Sequence, residues 1–499
     1  MRRRKRDGED GDDSGDEQLP ELLAARRRKL ESLREQGIDP FPHDFDGVSP
    51  AEEIRAAFAD LKAGAETDVR VRVAGRLAAR RTKGKAAFLD LVDRSGRMQL
   101  HARVDVMGRE TYDRLLELDL GDLIGVDGTV FSSLRGELTV RVEDWFLLAK
   151  SLRPPPDKYH GLQDTETRYR RRELDLLANA DTRELFINRA RVVSAIRRFL
   201  DEQGFIELET PVLQPLYGGA LARPFVTHHN ALNRELYLRI APELYLKRCI
   251  VGGLDRVYEV GKDFRNEGLS PKHNPEFTML EWYEAYADYN DVAERLEALA
   301  AYVASEIGYS GEVDFKPPWR RETVRDAILE RTSVDIFAPD ARDDLAAAMT
   351  ERGLEAPEEH SWAQLVDLVL ISKHVEPTLI EPTFLVDYPV ELSPFAKRHR
   401  SNDRLVERFE AFCSGVEFAN AFSELNDPDE QRARFVAQQA EAQAGDEEAQ
   451  PFDESYIEAL EYGMPPTGGI GVGIDRLVMV LTGSRSIREV VLFPTMRDA

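Results

Sequence analysis

The segment Val257–Tyr286, VYEVGKDFRNEGLSPKHNPEFTMLEWYEAY, constrains the fold more than any other part of the chain. One strand-like run ends at Phe264, a polar turn carries Arg265, Asn266, Glu267 and Gly268, and a second run begins at Phe277. This pattern predicts a hairpin. Side chains alternate faces along a strand, so Phe277, Met279, Glu281 and Tyr283 share one face while Thr278, Leu280, Trp282 and Glu284 share the other. An aromatic ring and a carboxylate on one face, under a loop bearing an arginine, suit an adenine platform, an amine-binding acid and a phosphate clamp. A hairpin with a merely salt-bridged loop satisfies the same residues, so the segment alone leaves both readings open.

A second segment, GGIGVGIDRLVMVLTGS (Gly468–Ser484), reads as a glycine-rich strand end running into an amphipathic helix with Arg476 in its first turn. Backbone N–H groups and the helix dipole favour an anion there, and a guanidinium adds bidentate contacts. Together with FRNEG and HNPEFTMLE upstream, this segment resembles motifs two and three of the class II aminoacyl-tRNA synthetases. FLDEQGFIELETPVLQP (Phe199–Pro215), a helix followed by a strand that ends in proline, is similar to motif one. Gly218–Asn230, Ile240–Arg248 and Glu417–Asp427 resemble the lysine-specific branch of that class, and the resemblance extends from about residue 20 to the C-terminus. The residues agree, since Glu243, Glu281 and Glu424 supply several carboxylates for a substrate with two ammonium groups.

The resemblance implies a lysine–tRNA ligase chemistry using ATP, L-lysine, tRNA(Lys) and Mg2+. Arg265 would hold the α-phosphate and the lysine carboxylate, Arg476 the γ-phosphate, and Phe277 the adenine, with Glu267, His273 and Asn274 around the nucleotide. Glu410 and Glu417 match the magnesium-binding acids, with Glu410 also at the ATP. Gly219, Glu243, Glu281, Tyr283, Asn420, Phe422 and Glu424 match the lysine site. Ala419 and Ala421 stand where the bacterial pattern has glycines, and Glu173 where it has tyrosine. Glu417 is odd-numbered while Asn420, Phe422 and Glu424 are even, so a regular strand would send the metal and lysine groups to opposite faces. A bulge near Ala419 is therefore expected.

The formal charge of −25 is unexpected for a chain that meets phosphate. Between Val69 and Arg109, however, eleven Arg and Lys stand against three Asp, a local footprint for nucleic acid. Five strand-like runs from VRVRVAGRLAARR to ELTVRVEDWFLLA, with MGRETYDRLLEL between the third and fourth, have the order of an OB-fold. A tight turn at Asp93–Gly96 would place Phe88 opposite His101, with Gln99 diagonal on the same face. A ring and an amide so placed could hold a flipped-out base, whereas barrel packing is the other use for Phe88. Phe88, Gln99 and Glu137 also match the family's anticodon-binding positions.

The expected class is α+β: an OB-fold barrel at 66–150, then a linker at 151–179, then a class II catalytic domain at 180–499 built as an antiparallel sheet flanked by helices, with a helical insertion at about 291–375. Residues 1–16 are expected to be a disordered tail and 17–65 a helical extension, with a basic helix over Glu21–Gln36. Ala440–Gln450 reads as a polar loop. No apolar run reaches membrane-span length, the basic start is not a secretory signal, and Cys249 and Cys413 give neither a disulfide framework nor a zinc set. A cytoplasmic homodimer is the expected setting.

Overall fold

The computed structural model describes residues 14–156, 162–338, 341–443 and 450–497, in two compact units. Most of the expected tail lies outside the described residues, and 14–16 already belong to the first helix, Ser14–Glu35.

The first unit is built on a closed five-stranded barrel: β1 (Glu66–Lys83), β2 (Ala86–Asp93), β3 (Gly96–Arg103), β4 (Leu123–Ser132) and β5 (Leu138–Ala149), in the order β1-β2-β3-β5-β4. β1 can pair with both β2 and β4 because it is 18 residues long and its register shifts between Leu77 and Ala79. The helix Arg109–Glu117 sits between the third and fourth strands, and its Tyr112 and Leu115 join Leu77, Leu89, Leu100, Val126 and Val140 in the core. The Asp93 carboxylate closes the β2–β3 turn by accepting from Ser95 N (2.7 Å) and Gly96 N (2.9 Å). That turn sets Phe88 opposite His101 and Asp90 opposite Gln99. Helix Ser14–Glu35 is tied down by Arg26, which donates to the carbonyls of Leu120, Ser151 and Arg153 at 3.0–3.1 Å.

The second unit begins with short strands β6 (Ile206–Glu207), β7 (Leu213–Gln214), β8 (Val226–His229) and β9 (Arg234–Leu238), followed by β10 (Arg256–Phe264) and β11 (Glu276–Ala285). The rest are β12 (Arg320–Thr323), β13 (Thr383–Pro389), β14 (Arg398–His399), β15 (Asn402–Cys413), β16 (Val416–Ser423) and β17 (Thr467–Gly473). The main sheet runs β12-β13-β15-β16-β17-β11-β10-β6, antiparallel except at its two ends. The hairpin expected from Val257–Tyr286 is β10–β11, with Glu259 opposite Glu281 and Lys262 opposite Thr278. Leu280 and Trp282 point into a core completed by helices Ala180–Glu202, Tyr289–Glu306 and Ile474–Thr482.

Several boundaries differ from the sequence reading. Within the span 291–375, Tyr289–Glu306 packs on the main sheet, β12 extends it, and the helices of Val324–Val375 share a second core with Leu385 and Tyr388 of β13 and Val406 and Phe412 of β15. Within 151–179 the chain forms helices Thr165–Arg170 and Arg172–Ala178, with Glu173 exposed. Helix Pro428–Gln443 runs into the expected polar loop, 444–449 lie outside the described residues, and Gln450 is buried.

Candidate active site

A cavity of about 360 Å³ opens on the face of the sheet formed by β11, β17, β16 and β15. Its open end is cationic. Arg265 follows the last residue of β10, and its guanidinium lies over the Phe277 ring, 5.1 Å from the centroid, with Nε 3.4 Å from the Ile240 carbonyl. Arg476, in the first turn of helix Ile474–Thr482, donates from Nη1 to Glu417 Oε2 (2.8 Å) and to the Glu417 carbonyl (2.9 Å). Its Nη2 lies 3.2 Å from His273 Nε2. A guanidinium only donates, so Nε2 is the unprotonated nitrogen and Nδ1–H donates to Ser270 Oγ at 2.7 Å. Burial, then Arg476, hold the His273 pKa below its ordinary value, consistent with that neutral ring. Asp475 locks the two motifs together by accepting from Thr278 N (2.7 Å) while pairing with Arg189 (2.6 Å). Glu267 lies on the exposed loop and lines the cavity. Asn274 lines the cavity, and its side chain also bridges Glu276 O (2.6 Å) and Thr495 N (3.3 Å), so it organises the turn.

The closed end is anionic and dry. Glu243, Glu281 and Glu424 are all buried. Tyr283 donates to Glu281 Oε2 at 2.8 Å. Burial first, then the charges of Asp263 and Glu243, raise Glu281 well above the usual carboxylate range. Burial pushes Glu424 up to about 8, despite its ion pair with Lys247. Gly219 closes this end with φ +92°, which favours glycine; a Cβ there would come 2.9 Å from Glu243 Cβ. The Gln450 amide clamps the same loop, accepting from Gly219 N (3.2 Å) and donating to Ala220 O.

Between the ends, β15 and β16 carry the remaining acids. Phe412 pairs with Glu417 but Ala411 pairs with Ala419, so Phe418 is the extra residue of a bulge, one position before the expected site. The bulge lets Glu417, Asn420, Phe422 and Glu424 all line the cavity. Ala421 packs into the core beneath the sheet, and Ala419 touches both core and cavity. Glu410 accepts from Arg408 Nη2 (2.6 Å) and Tyr388 OH (2.7 Å), and Asn420 Oδ1 accepts from Arg408 Nε (3.1 Å). Burial raises Glu410 to about 7; Arg408 opposes this, while Glu417 and Asp367 add to it.

Sequence reading did not single out Lys247, Asp367, Arg408 or Gln450. Lys247 has a visible signal, a Glu-x-x-x-Lys spacing with Glu243, but such pairs usually lie on the surface. In the barrel, Phe88 is on the outer face, since Ala87 and Leu89 fill the core. It stacks on His101 (centroids 4.5 Å, 11°), with Phe131 tilted 5.8 Å beyond. Gln99 Nε2 donates to Thr139 Oγ1 (3.0 Å), and Glu137 pairs with Arg97 (2.8 Å).

A cationic end thus lies beside an acid-lined end on a largely antiparallel sheet. The family of "tRNA synthetases class II (D, K and N)" matches residues 164–497, and the "OB-fold nucleic acid binding domain" matches 71–148. Lysine–tRNA ligase of Moorella thermoacetica is 53% identical over 96% of this chain and 98% of its own length. The Carboxydothermus hydrogenoformans enzyme of the same name is 51% identical over 96% and 99%, and that of Staphylococcus haemolyticus 48% over 97% and 99%. The chain belongs to the class II aminoacyl-tRNA synthetases and, within them, to the lysine–tRNA ligase family.

Proposed function

We propose that the protein activates L-lysine with ATP and transfers the lysyl group to the 3′ end of tRNA(Lys). The observation that carries the amino-acid assignment is the closed end: three buried carboxylates beside one resident cation leave room for an added ammonium. In the first step a lysine carboxylate oxygen bonds to the α-phosphorus and the bridge to the β-phosphate breaks, giving lysyl-adenylate and pyrophosphate. No protein nucleophile is needed, so the protein contributes positioning and charge stabilisation. Arg265, at the junction of the two ends, holds the α-phosphate and the lysine carboxylate. Phe277 stacks on adenine, His273, Asn274 and Glu267 border the nucleotide, and Arg476 holds the γ-phosphate. Glu424 and Tyr283 receive the side-chain ammonium; Glu281 and Glu243 lie nearer the α-amine, with Gly219, Asn420 and Phe422 shaping the walls. In the second step the terminal adenosine hydroxyl takes the lysyl group and AMP leaves.

Glu410 and Glu417 fit a magnesium ion, because the Glu417 charge raises both Glu410 and the neighbouring Asp367, an accumulation of acid in one corner that a cation would relieve. When bound, such an ion would neutralise triphosphate oxygens. In the barrel, Phe88 and Gln99 would hold a central anticodon base by its face and edge, with Glu137 alongside. Ile187, Ile206, Val212 and Leu213 are exposed around motif one, which supports a homodimer; light scattering at micromolar concentration should give twice the chain mass. No helix among the described residues is long and apolar enough to cross a membrane, and a cytoplasmic setting is part of the same reading. Pyrophosphate exchange dependent on lysine, followed by charging of total tRNA, tests the assignment. Exchange that requires aspartate or asparagine instead would overturn it.

A further inference from the structure

Lys247 is fully buried at the closed end of the cavity. Its Nζ lies 2.6 Å from Glu243 Oε1, one helical turn earlier on helix Glu243–Val251, and ion-pairs with Glu424 Oε2 just beyond β16. The rings of Phe395 and Tyr283 flank it, 5.3 and 5.8 Å from Nζ to the centroids. Taking an ammonium wholly out of water costs several kcal/mol unless it is well paired, so a lysine here does more than stabilise a helix. The pairing is also unequal. Glu424 Oε1 is buried and has no hydrogen-bond partner among the described residues. Gly469 leaves it room, since a Cβ there would overlap both Oε1 and the Tyr283 ring.

We propose that Lys247 is a positioning residue for the substrate: its ammonium favours the carboxylate forms of Glu243 and Glu424 against their burial and turns Glu424 Oε1 outward as the open acceptor for the lysine side-chain ammonium. This rests on the reading of Glu424 as the lysine acid. Two carboxylates against one fixed cation leave a single negative charge, which one substrate ammonium neutralises. The groups facing this centre are Glu243 from its own helix, Glu424 from the end of β16, Tyr283 with Glu281 behind it on β11, and Tyr456 from helix Glu454–Glu461 with Arg248 beside it. Without Lys247 the two acids would face each other in a desolvated space with nothing to oppose the effect of burial, and both would hold their protons more tightly. A protonated Glu424 offers the substrate no charge.

The test is kcat/KM for lysine in ATP–pyrophosphate exchange as a function of pH, a profile that reports the free enzyme's groups. Lys247→Gln keeps donors for both acids but removes the charge. It should raise KM for lysine roughly tenfold or more, leave KM for ATP within about twofold, and move the acid limb to higher pH. Lys247→Arg should return the limb to its wild-type position. An unmoved limb in Lys247→Gln, or equal losses for lysine and ATP with arginine no better than glutamine, would overturn the proposal. If Lys247→Gln does not fold, the double variant Lys247→Gln/Glu424→Gln should, because it removes both members of the pair; a double variant no more stable than the single would overturn it as well. The underlying reading fails separately: Glu424→Gln alone would then activate lysine normally.

Discussion

The two ends of the cavity solve opposite problems. At the open end the cations are partly exposed, with Arg476 resting on Glu417, a backbone carbonyl and His273. At the closed end Glu243, Glu424 and Lys247 are buried, and the partners of each are other charges or aromatic rings. A phosphate is strongly charged and tolerates a solvated, adjustable clamp. An ammonium on a flexible chain is told apart from neutral side chains only where an unpaired carboxylate would be costly. On the proposed function, affinity for the nucleotide would be spread over many contacts, whereas selection of the amino acid would be concentrated in few.

If that contrast holds, the largest effect comes from the dry end. Glu424→Gln should lower kcat/KM for lysine by about two to three orders of magnitude, equivalent to roughly 3–4 kcal/mol, while KM for ATP stays near its wild-type value. Unchanged lysine activation would remove the distinction between the ends. Next is the open end. Glu417→Ala frees Arg476 and removes an acid from the corner proposed for magnesium, and should slow adenylate formation about a hundredfold with tRNA binding retained. Single-turnover adenylate formation and filter binding separate the two, and equal losses in both would point to a damaged fold.

The barrel offers an intermediate case, a half-buried ring at a polar rim. Phe88→Ala should cost about 1–3 kcal/mol in kcat/KM for tRNA, the usual scale for one stacked base, with pyrophosphate exchange unchanged. Transcripts with the middle anticodon base altered should lose much less. The outer-face position argues against core packing, and the His101 ring behind Phe88 pre-orders it for stacking. A penalty equal for all anticodons would return Phe88 to a structural role.

What could be read in advance follows the same division. Period-two alternation is local, so the faces of β11 were legible: Phe277, Met279, Glu281 and Tyr283 line the cavity while Leu280 and Trp282 fill the core. The parity mismatch between Glu417 and Asn420 was legible too, and Phe418 resolves it. Lys247 was not, because its meaning depends on a residue 177 positions away in the chain whose carboxylate the fold brings to Nζ. Asp367 sits in Leu365–Val375, a stretch wound as a π-helix within the expected helical insertion, and such windings favour functional positions. The second use of Asn274 was not legible either, because the amide's bond to Glu276 O depends on how the turn closes.

The smallest effect concerns pH and separates the dry end from the surface. Burial raises Glu424 to about 8, and Glu410 and Asp263 to about 7, above their ordinary values. A raised carboxyl binds more protons folded than unfolded, so its contribution is full below the unfolded value and is lost as pH rises through the folded one. Ion-paired surface acids such as Asp335, lowered by the Arg325 hydrogen bond, behave oppositely and weaken only in acid. The protein without ligands should therefore be most stable in mildly acidic solution and lose melting temperature as pH climbs from about 6 to about 8.5, by about 2 °C for each kcal/mol. Lysine binds the ionised acids, so it should raise the melting temperature more at the alkaline end. Differential scanning at both pH values, with and without lysine, reads this directly, and Glu424→Gln should flatten part of the slope. If lysine stabilises equally at both, the acids at the closed end are already ionised in the empty protein, and the dry end holds its charges by pairing alone.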